Sequence, residues 1–285
     1  MAKRSQWNYR QILMELSLFL SIQVLGLIVG LKYFNLQIIE PLPVKESIPT
    51  FLITFVIATA FLLVLIRFLK GNLFFKAMFA LLIIIGVDIT LGAFIFEPLA
   101  IILAVVVLAA RIAKPNILTH NFAMFLAIAG IGAQLGLLLT PLAVVALLII
   151  LSVYDYYAVF KSKHMVKLFK GMMEKGAAMA IVLPQSTRDL RAEMGAVKSE
   201  KLKKYTKKDK RKFFMLGTGD VAFPIVFAVS ALQHSLQSAM FVVAGSLFGI
   251  LLIHYIINKK KYEALPALPP IALTTIIAFG VSLLL

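Results

Sequence analysis

Long apolar runs constrain this chain more than any other feature. Stretches at 12–34, 50–69, 75–95, 98–112, 117–139, 142–160, 213–232, 237–257 and 266–285 carry few charges. An α-helix crosses the hydrocarbon core of a bilayer in about 20 such residues. The fourth stretch is short and lies between Pro98 and Pro115. Soluble domains are about 45–50% apolar and 25% charged, whereas this chain is 61% hydrophobic and 15% charged. In lipid each backbone N–H and C=O must be satisfied within its own segment, which favours helices. The expectation is an all-α integral membrane protein of nine transmembrane helices, without a soluble domain or a repeat. The first run is too long for a cleaved signal peptide, and no small-residue cleavage site follows it.

The formal net charge of +16 suggests a nucleic-acid partner until it is sorted by loop. Of 29 Lys and Arg, 16 lie between the sixth and seventh runs, and all but Lys32 and Lys45 fall on one side of a nine-span bundle. Basic loops face the cytoplasm, so the N-terminus is expected inside and Leu285 outside. The division is a six-span part at 1–160, a basic cytoplasmic loop at 161–212 and a three-span part at 213–285, forming one membrane domain. Attraction to anionic lipid headgroups accounts for the basic loop without nucleic acid. The chain has no cysteine, which removes thiol nucleophiles and cysteine metal sites.

Four acids fall inside the runs: Glu15, Asp88, Asp155 and Asp220. Ionisable groups in a membrane are functional candidates by default. Glu15 lies one turn into the first span, beside Arg10, and is expected to snorkel to the headgroups. Asp88 is near mid-membrane, with Gln134 or Thr90 as expected partners. Asp155 and Asp220 form a pair by depth. One sits six residues before Lys161 and the other eight after Lys212, so both lie ~9–12 Å below the cytoplasmic surface at the helical rise. On adjacent antiparallel helices they can face each other.

Two carboxyls at close range do not both ionise readily, so they tend to share one proton. The ionised member can then take a proton from water while the protonated one hydrogen-bonds a carbonyl under attack. A proton or cation relay is the other known use of such acids, and carboxyl placement leaves both open. The surroundings favour hydrolysis. Asp155 follows Tyr154, and Asp220 follows Gly217, Thr218 and Gly219. The last run opens on Pro266, Ala267 and Leu268, then Pro269 and Pro270, at the same depth. Proline removes N–H donors and breaks the helix start, and irregular backbone at membrane depth lines protein or water cavities. Glycines at 217 and 219 let a substrate backbone approach.

Tyr154-Asp155, the GxGD of 217–220 and the Pro-Ala-Leu of 266–268 occur in this order on the sixth, seventh and ninth runs. In this the chain resembles the presenilin and signal peptide peptidase family of intramembrane aspartyl proteases, and their compact prokaryotic members in particular. The N-inside orientation is presenilin-like, whereas "GDVAFP" is closer to the signal peptide peptidase form. The resemblance implies a multi-pass protein of a prokaryotic cell membrane. Asp155 and Asp220 would be its catalytic pair, and Gly217, Thr218, Gly219, Pro266, Ala267, Leu268 and Tyr154 would shape the site. Its substrates would be transmembrane segments or remnant signal peptides.

No metal, cofactor or nucleotide is expected. Ser246 and His254 are ~12 Å apart along one helix. None of His120, His164, His234 and His254 lies in a His-Glu-x-x-His pattern, and no P-loop or dinucleotide fingerprint occurs. Finally, "AAMAIVLP" at 177–184 is an apolar patch in the basic loop. It either lies on the membrane surface or forms a strand that pairs with an unwound substrate. In the second case Ala180→Pro lowers cleavage without unfolding the protein.

Overall fold

Apolar runs of this length fold as helices packed through small residues and a few interhelical hydrogen bonds. The structure, a computed structural model, describes residues 9–36, 49, 50, 53, 54, 57, 61, 72–158, 160, 179–184, 190–193, 213–260 and 266–285. Its helices are α1 (Tyr9–Asn35), α2 (Asn72–Gly92), α3 (Glu97–Ala113), α4 (Ile117–Leu138), α5 (Pro141–Tyr157), α6 (Thr218–Ala231), α7 (Leu236–Lys260) and α8 (Leu268–Ser282). Most of the run at 50–69 lies outside the described residues; those described in it, 50, 53, 54, 57 and 61, are helical.

Four of these helices, α1, α2, α4 and α7, are long and apolar enough to cross a membrane, and α5, α6 and α8 are shorter apolar helices. The outer faces of the helices expose Leu13, Ile102, Phe122, Ile149 and Phe248 among many large hydrophobics. Water does not tolerate so continuous an apolar surface, and lipid does.

Helix starts follow from local chemistry. Asn116 accepts a hydrogen bond from the Thr119 N–H at 2.8 Å and caps α4. Proline opens α3, α5 and α8, where the missing N–H is no loss.

The centre of the bundle is α6, buried from Pro224 through Leu232. It is this well enclosed because α1 and α4 each present glycine to it. A Cβ added at Gly26 would stand 2.5 Å from Cγ2 of Ile225, and one at Gly132 would stand 2.9 Å from the same atom. Polar ties fix the register of the helices: Gln23 Nε2 donates to the Val221 carbonyl at 3.2 Å, and Thr90 Oγ1 to the Leu126 carbonyl at 2.7 Å.

Three expectations change. Residues 213–217 are a strand, β2 (Phe213–Gly217), and the helix begins at Thr218. This strand pairs antiparallel with β1 (Ala180–Pro184), with Ala180 opposite Gly217 and Val182 opposite Met215. Glu15 is buried, and its Oε2 accepts from His254 Nε2 at 2.9 Å across to α7. It does not snorkel, because a helix carrying its own polar partner covers it. Thr90 bonds Leu126 rather than Asp88, whose Oδ1 is buried without a hydrogen-bond partner among the described residues.

Candidate active site

Asp155 lies in the last turn of α5, buried. Asp220 is the third residue of α6, partly buried. The two helices pack together, and the Asp155 carboxyl acts electrostatically on that of Asp220. The two acids matched by depth in the sequence are therefore neighbours in space.

The site's second feature comes from the proline cluster. The first N–H groups of a helix have no partner within it. In α8 the positions after Leu268 are Pro269 and Pro270, which carry no N–H, so Leu268 presents the donor at that end. Its N–H donates to the Asp155 carboxyl. The positive end of the α8 dipole faces the same carboxyl, a favourable arrangement for an anion. Pro266 is buried, and Ala267 forms the N-cap.

Gly217 ends β2 and caps α6 in an extended conformation. A Cβ there would stand 2.8 Å from Oδ2 of Asp220, so the position is small because the aspartate occupies that space. Gly219 differs. It is exposed, and its added Cβ would meet nothing nearer than the Phe223 ring at 3.8 Å. Thr218 and Gly219 border an apolar cavity of about 240 Å³, whose walls include Phe79, Met124, Met179 and Phe223. Tyr154 points elsewhere: about 100° round the helix from Asp155, it is 49% exposed. The structure thus gathers Asp155, Asp220, Gly217 and Leu268 at one point and leaves Tyr154 on the outer face of α5.

Two residues of this region escape motif reading. His120 and Asn121, buried on α4, hydrogen-bond the backbone of β1. Their signal in the sequence is weak, two adjacent polar residues in an apolar run.

Comparison with known proteins bears on the fold and the family. The family model described as "Signal-peptide peptidase, presenilin aspartyl protease" matches residues 14–285. A presenilin family intramembrane aspartate protease solved in the C222 space group is similar, with a TM-score of 0.66 and 22% identity over 96% of this chain and 98% of that one. A structure of a presenilin family intramembrane aspartate protease in the P2 space group gives 0.62 and 21% over 94% and 96%. No curated protein matches. At these identities the two structures speak for the fold, and the family model for the family. The chain is a multi-pass membrane protein and belongs to the signal-peptide peptidase, presenilin aspartyl protease family.

Proposed function

We propose that this protein hydrolyses peptide bonds within transmembrane segments of membrane proteins, or within remnant signal peptides, with Asp155 and Asp220 as the catalytic pair. The observation that carries the reading is the approach of the two carboxyls, with the Leu268 N–H on one of them. The pair holds one proton. Its ionised member takes a proton from water as the oxygen attacks the scissile carbonyl, and its protonated member donates to the carbonyl oxygen. In the tetrahedral intermediate that results, the C–N bond breaks as the amide nitrogen receives a proton from the pair. The nine-span topology, with the N-terminus and the dyad towards the cytoplasm, follows from the positions of Lys and Arg.

A scissile bond must be extended, so a helical substrate has to unwind. β1 is not the strand that receives it. Val182 turns both its N–H and its C=O to Asn121, so in the alternation of an antiparallel ladder Ile181 and Leu183 bond β2. The outward-facing backbone groups are then those of Phe213, Met215 and Gly217, along the edge of β2 that leads to Asp220. A substrate strand added there runs up to the dyad. The apolar cavity beside Gly219 suits a hydrophobic side chain of that substrate.

The test uses purified protein in detergent and a labelled single-span peptide, with products read by mass spectrometry. Wild type cleaves inside the span, and Asp155→Asn and Asp220→Asn do not. Cleavage surviving in either mutant sinks the dyad. Absence of cleavage by folded wild type, with ion flux in liposomes that depends on the same acids, turns the reading to a proton or cation pathway.

A further inference from the structure

A second set of buried polar groups lies under the hairpin. Asn121 Nδ2 donates to the Val182 carbonyl at 2.7 Å, and the Val182 N–H donates to Asn121 Oδ1 at 3.0 Å. One side-chain amide thus pairs with both backbone groups of a residue, as a neighbouring strand would. One turn position away, His120 Nε2 lies 2.9 Å from the Ala180 carbonyl. Arg111 Nε donates to His120 Nδ1 at 3.3 Å. An arginine cannot accept and a carbonyl cannot donate, so the ring proton is on Nε2. Arg111 is itself held over the face of Phe79, 4.5 Å from the ring centre. The histidine is therefore locked in the tautomer that binds β1.

A two-stranded hairpin alone is marginally stable at best. This one is joined by 28 intervening residues, 185–212, so closing it carries an additional entropy cost. Helix α4 supplies what a third strand would. We infer that His120 and Asn121 are positioning residues, which keep β1 and β2 paired before any substrate arrives. They act through β1 on β2, and so on the outer edge of β2 along which a substrate strand would lie. The value of this to catalysis rests on the protease reading; the holding of the hairpin does not. A preformed edge spares the substrate the ordering of two strands, so the gain is in binding and not in the chemical step.

The deciding measurement is amide hydrogen exchange on the full chain in detergent, without substrate, joined to cleavage kinetics on the single-span peptide. In Asn121→Leu, exchange in 180–184 and 213–217 rises about tenfold or more, while α5 and α6 keep their protection. KM rises about tenfold, and kcat stays within about twofold. Asn121→Gln, which retains both amide groups, recovers part of each change. His120→Gln keeps an N–H where Nε2 stood and stays near wild type, whereas His120→Leu follows Asn121→Leu.

Unchanged exchange at both strands in folded Asn121→Leu overturns the inference, as does a fall in kcat at constant KM. If Asn121→Leu does not fold, His120→Leu and Asn121→Gln decide by the same two readings. Faster strand exchange in a wild type and mutant series that cleaves nothing supports the clamp and removes the protease reading.

Discussion

The backbone N–H of Leu268 donates to the Asp155 carboxyl, across from α8 to α5. The two prolines that follow carry no N–H, so the N–H of Leu268 is the donor at this end of the helix. The Pro-Ala-Leu segment is thus part of the immediate surroundings of the aspartate.

Leu268→Pro deletes that donor and keeps an apolar residue. Loss of a hydrogen bond to a charged group is worth about 1.5–3 kcal/mol, which lowers kcat by about 10- to 100-fold. Leu268→Ala retains the N–H and keeps most of the activity. Single-turnover cleavage of the peptide substrate measures both, and equal losses in the two variants would show that the side chain matters instead.

Gly217 and Gly219 separate by their surroundings. Gly217→Ala puts a methyl 2.8 Å from Oδ2 of Asp220, and the carboxyl must move. A displacement of about 1 Å at a reacting group costs on the order of 10²-fold in rate. Gly219→Ala makes only an ordinary contact with the Phe223 ring at 3.8 Å, so the protein keeps its melting temperature and the change acts on substrate preference at the neighbouring cavity. Comparing the pair on peptides with large and small apolar side chains tests this division.

Met215 lies on the edge of β2 that faces away from β1. Proline is tolerated on such an edge when its missing N–H pointed outward. Met215→Pro therefore leaves the β1 ladder paired, lowers the melting temperature through the lost packing of Met215 on Ile117 and Val182, and reduces cleavage by about tenfold through the lost substrate hydrogen bond. Full cleavage in a folded Met215→Pro protein would place the substrate on another edge.

Glu15 and His254 join α1 to α7 at 2.9 Å, both of them largely buried. Leaving one partner of such a pair unsatisfied costs about 1–3 kcal/mol. Glu15→Leu and His254→Ala each lower thermal stability, and the double variant loses less than the sum of the two. Additive losses would mean that the pair is not coupled.

The sequence by itself determined the solvent and singled out the two carboxyls. Run length against bilayer thickness needs no tertiary information, so the membrane character of the chain was legible. So were the burial of Asp155 and the irregular start at Pro266, since a carboxyl or a proline cluster in hydrocarbon stands out against its neighbours. Asp155 and Asp220 stood out as two carboxyls close to the same end of consecutive apolar runs. Because 213–217 is a strand and not helix, their meeting is fixed by the packing of α5 against α6 and not by the helical rise.

Tertiary structure decided the rest. Phe213–Gly217 reads as helix because it is continuous with the apolar run of α6. It is a strand because Ala180–Pro184 lies beside it, with Asn121 on that strand's far edge. Glu15 has its partner 239 residues away, and no local pattern encodes such a pairing. Local periodicity reports a segment's own helix, whereas the choice between helix and strand at 213–217, and the partner of each buried polar group, depends on what the fold sets against it.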